Sequence, residues 1–252
     1  RDCSWYTKCD FPSEDIAGFQ TTQVRRAESH SAEPHCKRAC GWDRDCPQLY
    51  SPDDVERVSL RWNTTDGRLK VEQRLKRKSA HMARLCKETQ ETGNLTRAND
   101  RSGAWCLGKF EPLPSEVPGV LRSLPSKHAP ADQGILSVLL RMQLSSLNDF
   151  GAGVGQYGHD LLARKPGIDY KGYDGAGDIE KRTGGLVRFV DFTMPLALDV
   201  ADWVMSLEVG EHISAEDEMM FVRNLHVHNR CGLILSWGAL AQPGTGHKNL
   251  HS

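Results

Sequence analysis

The second half of the sequence predicts an α/β fold with a mostly parallel sheet and flanking helices. Short apolar stretches alternate there with helical patterns from residue 132 onward, and such alternation is typical of parallel sheets. A glycine-rich turn follows the first central strand, at residues 151–155. The first half differs in kind, because it holds seven of the eight cysteines and lacks this alternation.

Apolar spacing, turn residues and caps predict the individual elements of the second half. Asp132 is placed to cap a helix over 136–142. A second helix should follow the glycine turn up to about residue 164, and others should begin near Gly175 and at 214–217. The expected strands are 144–150, 169–173, 187–191, 203–207 and 233–237.

In the first half, an apolar alternation predicts a strand at 58–62, and helical spacing predicts an amphipathic helix over 69–89. Residues 1–52 are rich in Cys, Pro, Ser and charge, so no strand is expected among them. The chain therefore divides into a cysteine-rich region (1–110), a proline-rich linker (111–131) and the α/β unit (132–252). Prolines in the linker disfavour a long helix or a central strand.

Bulk composition excludes some functions. The chain is 38% hydrophobic and 26% charged, and its net charge is -1. No apolar run approaches the ~20 residues needed to cross a bilayer, so no membrane span is expected. The basic run at 74–78 (RLKRK) is more typical of a solvated helix face than of a polyanion site. Nucleic-acid binding is not expected either, because basic and aromatic residues are not interleaved.

Cysteine usage and glycosylation sequons indicate an oxidising compartment. The cysteines before residue 107 predict a disulfide-bearing region. Two Asn-x-Thr sequons in the same region would be glycosylated at Asn63 and Asn94. We therefore expect a glycoprotein that is secreted or resides in the lumen of the secretory pathway, with protein contacts or self-association through the N-terminal region. The seven cysteines are Cys3, Cys9, Cys36, Cys40, Cys46, Cys86 and Cys106.

Zinc is the alternative use of these cysteines, since His35, Cys36, Cys40 and Cys46 are close enough in sequence to share a metal. Their spacing matches no standard finger or ribbon, and a second CxxC pair is missing, so disulfides are the preferred interpretation. The seventh cysteine of the region is then free, paired with Cys231, or paired with another chain.

The strongest chemical motif is DFGAGVG at residues 149–155, in which an acidic strand end precedes alternating glycines that open a helix. Glycine lets the backbone turn tightly and lets a cofactor approach closer than a Cβ would permit. A nucleotide cofactor therefore belongs at the carboxyl ends of these strands. A dinucleotide remains an alternative, because GVGQYG at 153–158 also fits GxGxxG with Asp174 as the ribose ligand. The carboxylate of Asp149 would repel a pyrophosphate and favours a cationic ligand instead.

At this point the chain resembles the class I S-adenosylmethionine (SAM) dependent methyltransferases over roughly residues 144–237. The matching pieces occur in order: DFGAGVG, YKGYD ending at Asp174, VRFVDFT containing Asp191, and DWVMSLEVGEHI at 202–213. The resemblance implies a Rossmann-like sheet and SAM as cofactor. It implies that the glycine loop and its acid hold the methionine part, that Asp174 holds the ribose, and that Asp191 approaches the adenine beside a stacking Phe192. The implied cofactor residues are Asp149, Gly151, Gly153, Gly155, Asp174, Asp191 and Phe192.

The segment after the fourth strand resembles the substrate-facing edge of that family. His212 is the candidate for removing a proton from the methyl acceptor, and Glu208 and Glu211 are alternatives. SAM carries its own electrophilic methyl group, so no metal is required. His226 and His228 lie two apart on a predicted helix, do not share a face, and make a poor metal pair.

The resemblance is incomplete at its end. The family's sheet continues past the fifth strand with a helix and an antiparallel strand pair, and about fifteen residues after Trp237 cannot supply them. We therefore expect a sheet that lacks the final strands. Three explanations are open: the chain is a fragment of a longer protein, a partner completes the sheet, or the protein has lost catalysis. Three functions stay open: methyl transfer to an unidentified acceptor, a secreted non-catalytic protein with this fold, or a nicotinamide-dependent oxidoreductase.

Overall fold

The computed structural model describes residues 23–24, 65–92, 102–107, 110–113, 122–125, 130–142, 144–239 and 246–250. Its strands are β1 (Gln23–Val24), β2 (Phe110–Leu113), β3 (Arg122–Pro125), β4 (Ser146–Phe150), β5 (Asp169–Asp174), β6 (Val187–Phe189), β7 (Ala201–Ser206) and β8 (Asn229–Leu235). Its helices are α1 (Thr65–Thr92), α2 (Gln133–Arg141), α3 (Gln156–Arg164), α4 (Ile179–Arg182) and α5 (Glu218–Val227), with a 3-10 turn at Gly210–His212.

Among the described residues, the main sheet has six strands in the order β1-β8-β7-β4-β5-β6. Strands β4 to β8 run parallel to one another, and only β1 is antiparallel. The predicted α/β fold with a parallel sheet and flanking helices is therefore confirmed. The central strand β4 is buried from Leu147 to Phe150, as expected of a strand covered by helices on both faces.

Alternation along the central strands divides the core between two faces of the sheet. Leu147 packs with the apolar side of α2 and with Leu161 of α3. Phe150 faces the other way and packs with Tyr173 and with Phe221 of α5. Burial on both faces fixes the register of the sheet, because a slip of one residue would exchange the two sets of side chains.

Helix starts follow local chemistry. Asp132 caps α2 as predicted, because its side chain accepts a hydrogen bond from the Ile135 N–H at 2.9 Å. The predicted helix over 69–89 is the longer α1, whose buried Met82 and Cys86 pack against the α/β core. The helix expected near Gly175 is the single turn α4, which begins only at Ile179.

One expectation about strands is corrected, and one is refined. Residues 1–52 were expected to contain no strand, but Gln23–Val24 pairs antiparallel with Ile234 and Leu235 at the free edge of β8. The proline-rich linker contains an antiparallel two-stranded ribbon formed by β2 and β3. A separate ribbon of this kind tolerates proline because a two-stranded sheet consists of edge strands.

Several predictions fall outside the described residues: the strand at 58–62, the sequons at Asn63 and Asn94, the alternative zinc ligands around His35, and the five cysteines before residue 47. The three-region division of the chain stays a prediction. Within the described part, none of the helices combines the length and the apolar character needed to traverse a bilayer.

Candidate cofactor and acceptor site

The topology places a crevice beside the end of β4. Strands β5 and β6 lie on one side of β4, and β7 and β8 lie on the other. The chain continues from β4 to β5 on one side and crosses back from β6 to β7 on the other. The switch point therefore lies between β4 and β7, and a ligand crevice is expected at their carboxyl ends. The sequence motifs identified above follow β4, β5, β6 and β7 at this edge.

Residues 151–155, the glycine loop, connect β4 to α3 in a left-handed conformation. Gly151, Gly153 and Gly155 have φ of 84°, 55° and 78°, values that residues with a Cβ adopt only with strain. The Gly151 and Ala152 N–H groups both donate to the carbonyl oxygen of Tyr173, at 2.8 and 3.0 Å. Glycine at these positions is therefore required by the backbone path itself.

Asp174, at the end of β5, is bonded to the glycine loop. Its Oδ2 accepts the Gly153 N–H at 2.8 Å, and its Oδ1 accepts the Ala176 N–H at 2.8 Å. A carboxylate oxygen can accept more than one hydrogen bond. The two predicted cofactor motifs thus meet through one side chain.

Asp149 is the second-last residue of β4, just before the glycine loop, and it is buried with 3% exposure. Burial raises the pKa of Asp149 to about 7, and the charge of Asp174 adds to the rise, whereas a hydrogen bond from Tyr170 opposes it. That bond runs from the Tyr170 hydroxyl to Oδ2 at 2.7 Å. Asp149 is therefore a carboxyl group whose charge is uncompensated and which a cationic ligand would stabilise.

Gly158 is the last glycine of the GxGxxG pattern, and side-chain packing explains why a glycine is needed there. A Cβ on Gly158, inside α3, would lie 2.3 Å from the Tyr170 ring. The glycine is needed so that the tyrosine can pass under the helix and reach Asp149. The pattern is therefore accounted for by packing alone, and it does not by itself call for a dinucleotide.

Asp191 and Phe192 follow β6 and are more enclosed than expected. Asp191 is 3% exposed, its Oδ1 accepts from the N–H and hydroxyl of Thr193, and Lys78 of α1 lies 3.5 Å from Oδ2. Phe192 is 4% exposed, with its ring 5.1 Å from that of Phe150. Stacking of an adenine on Phe192 would require this ring to be uncovered first.

The segment 207–213, called the β7 loop, packs directly on the glycine loop. A Cβ on Gly151 would lie 2.1 Å from Cγ2 of Val209. Glu208 has φ of 56°, a left-handed conformation that is strained for a glutamate. Its N–H donates to the Ser236 hydroxyl at 3.0 Å. Strain of this kind is often concentrated at functional sites.

Glu211 and His212 lie side by side in the 3-10 turn of the β7 loop. Glu211 is 0% exposed. Burial raises its pKa to about 7. Backbone N–H groups of Glu211 and Gly238 oppose the rise, and the neighbouring Glu208 carboxyl adds to it through its charge and a side-chain contact. Burial lowers the pKa of His212, so its imidazole is neutral and able to accept a proton.

His247 joins this pair, although the sequence analysis assigned it no role. Its ring centroid lies 5.1 Å from that of His212, and the His212 Nδ1 lies 3.3 Å from the Gly246 carbonyl oxygen. The polar run GTGHKN at 244–249 was the only local signal. Nothing in that run indicates which part of the fold it contacts.

The N-terminal elements also contribute to the site. Trp105 contacts His212 edge-on, with ring centroids 5.5 Å apart. The segment containing Trp105 is joined to α1 by a disulfide between Cys86 and Cys106, and Cys231 of β8 is also disulfide-bonded. A Cβ on Gly177 would lie 2.7 Å from the Met82 carbonyl oxygen, so α1 closely covers the loop after β5.

His226 and His228 do not form a metal pair. His228 lies just beyond the end of α5, where its Nδ1 donates to the Asn224 carbonyl at 2.7 Å and its Nε2 accepts the Leu198 N–H at 3.1 Å. Burial lowers the pKa of His228 to about 4. Its role is therefore structural.

Solved methyltransferase structures are similar to part of the chain. A SAM dependent methyltransferase from Archaeoglobus fulgidus matches with a TM-score of 0.37 and 18% identity, covering 47% of this chain and 62% of that chain. Magnesium protoporphyrin IX methyltransferase from Synechocystis PCC 6803, solved with bound SAH, matches with a TM-score of 0.36 and 19% identity, covering 47% and 65%. An O-methyltransferase family protein from Burkholderia thailandensis matches with a TM-score of 0.32 and 18% identity, covering 38% and 34%.

The matched region therefore spans 34% to 65% of the length of these structures. No protein-family profile matches the chain, and no curated protein does.

Proposed function

We propose that the protein is a SAM-dependent methyltransferase acting on an acceptor still to be identified. The observation that carries the proposal is the bond between Gly153 and Asp174, which joins the glycine loop to the acid that ends the next strand. This arrangement lies at the switch point of a parallel sheet, where nucleotide ligands bind. The buried carboxyl of Asp149 beside the loop suits a ligand that carries positive charge.

The residues fit SAM by their chemistry. Asp149 would face the cationic methionine part, the glycine loop would allow its close approach, and Asp174 would accept from the ribose hydroxyls. Asp191 would receive the adenine amine, with Phe192 as the neighbouring ring. When bound, SAM supplies an electrophilic methyl group, so the protein has to align the acceptor and remove its proton where necessary.

His212 is the preferred proton acceptor. Burial lowers its pKa, and its Nδ1–H bond to the Gly246 carbonyl leaves Nε2 with a lone pair. Glu208 and Glu211 remain alternative bases on the same β7 loop, which packs on the glycine loop through Val209 and Gly151.

We further propose a secretory or extracellular setting for this activity. The cysteines of the first half, the sequons at Asn63 and Asn94, and the disulfide between Cys86 and Cys106 support it. In that setting the N-terminal region would mediate contacts with other proteins or copies.

Calorimetric titration of the full oxidised chain with SAM and with its demethylated product tests the proposal. Wild-type protein should bind both, and Asp174→Asn should weaken binding by about 10- to 100-fold, because it removes charge-assisted hydrogen bonds. Asp169→Asn is the matched control, since Asp169 is exposed at the opposite end of the same strand. Failure of the folded wild-type chain to bind either ligand would exclude a SAM enzyme, and binding of NAD or NADP instead would favour the oxidoreductase.

A secreted non-catalytic protein is the second candidate. The enclosure of Asp191 and Phe192, with Lys78 paired to Asp191, favours it. Transfer of labelled methyl groups from SAM to any acceptor in an extract, abolished by Asp174→Asn and retained by Asp169→Asn, would rule this candidate out.

A further inference from the structure

We propose that Glu211, His212 and His247 bind a divalent first-row transition-metal ion, and we call these three residues the carboxylate–histidine cluster. One ligand atom from each residue lies within 4.8 Å of the other two. Metal–ligand bonds of 2.0–2.2 Å at tetrahedral angles place ligand atoms roughly 3.3–3.6 Å apart. Side-chain rotations that bring the three atoms up to about 1.5 Å closer together would place them on one ion.

The buried carboxylate of Glu211 is the strongest evidence for a cation. Glu211 is 0% exposed, and neither carboxylate oxygen has a partner at hydrogen-bond distance and angle. Its polar neighbours are backbone N–H groups and the carboxyl of Glu208, so no positive charge offsets it among the described residues. A buried carboxylate is normally paired, hydrogen-bonded or bound to a metal. Within the described part of the chain, a cation held between Glu211 and the two imidazoles would supply the partner that hydrogen bonds do not.

The histidines are held in orientations that suit ligation. The Nδ1 of His212 donates to the Gly246 carbonyl at 3.3 Å, which leaves Nε2 as the nitrogen with a free lone pair. Fixing of one ring nitrogen by a carbonyl is the usual second contact of a metal-bound histidine. The Nδ1 of His247 is buried and has no hydrogen-bond partner.

Hydrogen bonds hold the segment 246–250 in the position that places His247 beside Glu211 and His212. The N–H groups of Lys248 and Asn249 both donate to the Glu211 carbonyl oxygen, at 2.7 and 3.1 Å. The Trp237 indole donates to the Asn249 carbonyl at 2.7 Å, and the Asn249 amide donates to Glu218 at 2.7 Å. Four hydrogen bonds therefore hold this segment against the turn that carries the other two ligands.

The ligand set indicates the class of metal. Two imidazoles and one carboxylate suit Zn²⁺, Co²⁺, Mn²⁺ or Fe²⁺, whereas Mg²⁺ and Ca²⁺ prefer ligands that are all oxygen. Three protein ligands leave coordination positions for water or for another molecule. Glu211 follows two residues after Val209, which packs on the glycine loop, so the ion would lie on the same β7 loop that contacts the proposed cofactor site. Metal binding itself does not depend on the proposed methyl transfer. With an ion bound, the Nε2 of His212 would be a ligand, and Glu208 would be the base that remains on the β7 loop.

The test is metal binding by the full, tag-free, oxidised chain after removal of metal with a chelator. Equilibrium dialysis with Zn²⁺ and with Co²⁺ should give one tight site, and Mg²⁺ should bind far more weakly. Glu211→Gln and His247→Ala should each weaken Zn²⁺ binding by about 100-fold or more. The matched controls are Glu216→Gln and His81→Ala, which alter exposed side chains outside the cluster and should leave the affinity unchanged.

His247→Ala should disturb the fold less than Glu211→Gln, because the Nδ1 of His247 has no hydrogen bond to lose. X-ray absorption of the Zn²⁺-loaded wild-type chain needs no substitution and should show nitrogen and oxygen ligands, including two imidazoles, with no sulfur. Absence of a tight site, sulfur ligation from the cysteine-rich region, or folded Glu211→Gln and His247→Ala chains with wild-type affinity would each overturn the proposal. Loss of SAM binding with metal binding intact would instead count only against the proposed enzyme.

Discussion

The Tyr170 hydroxyl donates a 2.7 Å hydrogen bond to Oδ2 of Asp149, beneath the helix that follows the glycine loop. The tyrosine reaches this position because Gly158 leaves room for its ring. Burial and the charge of Asp174 raise the pKa of Asp149, and the bond from Tyr170 lowers it, so that the value is about 7. The protonation of the first acid in the glycine motif therefore changes near neutral pH.

Affinity for SAM should increase with pH. A cationic ligand prefers the ionised form of Asp149, whose pKa is about 7, so binding should be about tenfold tighter at pH 8 than at pH 6. Calorimetric titrations across this range measure the effect. Asp149→Asn should bind more weakly with a flat profile, and an equally steep profile in that variant would assign the titration to another group.

Tyr170→Phe should move the same profile to higher pH. The substitution removes the one hydrogen bond that lowers the pKa of Asp149, and the burial of the carboxyl is retained. The midpoint of the SAM-affinity profile should rise, with the loss of affinity greatest at and below pH 7 and vanishing at high pH. Tyr173→Phe, in the same strand but packed on the opposite face with Phe150, should leave the midpoint in place. Equal midpoints in both variants would contradict the role of Tyr170.

His228 should make the protein sensitive to acid. Its folded pKa is about 4, below the usual 6.5, so the unfolded chain takes up a proton first as pH falls. Its contribution to stability is complete above pH 6.5 and is lost towards pH 4, by about 3 kcal/mol.

The measurement is a difference between variants, because Asp149 titrates in the opposite sense over an overlapping range. Its raised pKa stabilises the fold at low pH and loses that effect as pH rises towards 7. The free energy of unfolding of wild type minus that of His228→Gln should fall by about 3 kcal/mol from pH 7 to pH 4. A difference that stays constant from pH 7 to pH 4 would show that His228 is not responsible for the acid sensitivity.

Gly151 and Val209 should be energetically coupled. Gly151→Ala adds a left-handed alanine and a Cβ 2.1 Å from Cγ2 of Val209, costing about 2–4 kcal/mol. In a Val209→Ala background the clash disappears, and the remaining neighbour is Cβ at 3.3 Å, so the cost should fall to about 1–2 kcal/mol. Denaturant unfolding of the four chains measures this cycle. Purely additive costs would show that the β7 loop does not rest on the glycine loop in solution.

Lys78→Met should destabilise the protein more than Lys70→Met. Lys78 lies 3.5 Å from Asp191, whose side chain is 3% exposed, whereas Lys70 pairs with the well-exposed Asp66. Removing the partner of a buried charge should cost about 1–2 kcal/mol here, since Asp191 keeps its bonds to Thr193, and removing an exposed pair should cost less than about 1 kcal/mol. Similar thermal melting of both variants would show that Lys78 does not support Asp191.

The sequence alone was sufficient to predict the parallel sheet, the Asp132 cap, and the placement of Asp149, Asp174 and Asp191 at one edge of the sheet. These features follow from local rules: apolar period, cap chemistry, the glycine conformations of a tight turn, and the common direction of parallel strands. Each rule acts over a few neighbouring residues and can be evaluated without knowing what packs against them.

The tertiary structure alone decided the contacts between distant segments. It placed Gln23–Val24 at the edge of β8, brought His247 to His212 across thirty-five positions of chain, and buried Phe192 among other aromatic rings. A polar segment such as 244–249 has no periodicity that indicates its destination. The position of its described part, 246–249, depends on hydrogen bonds to the Glu211 carbonyl in the β7 loop and from the Trp237 indole just after β8.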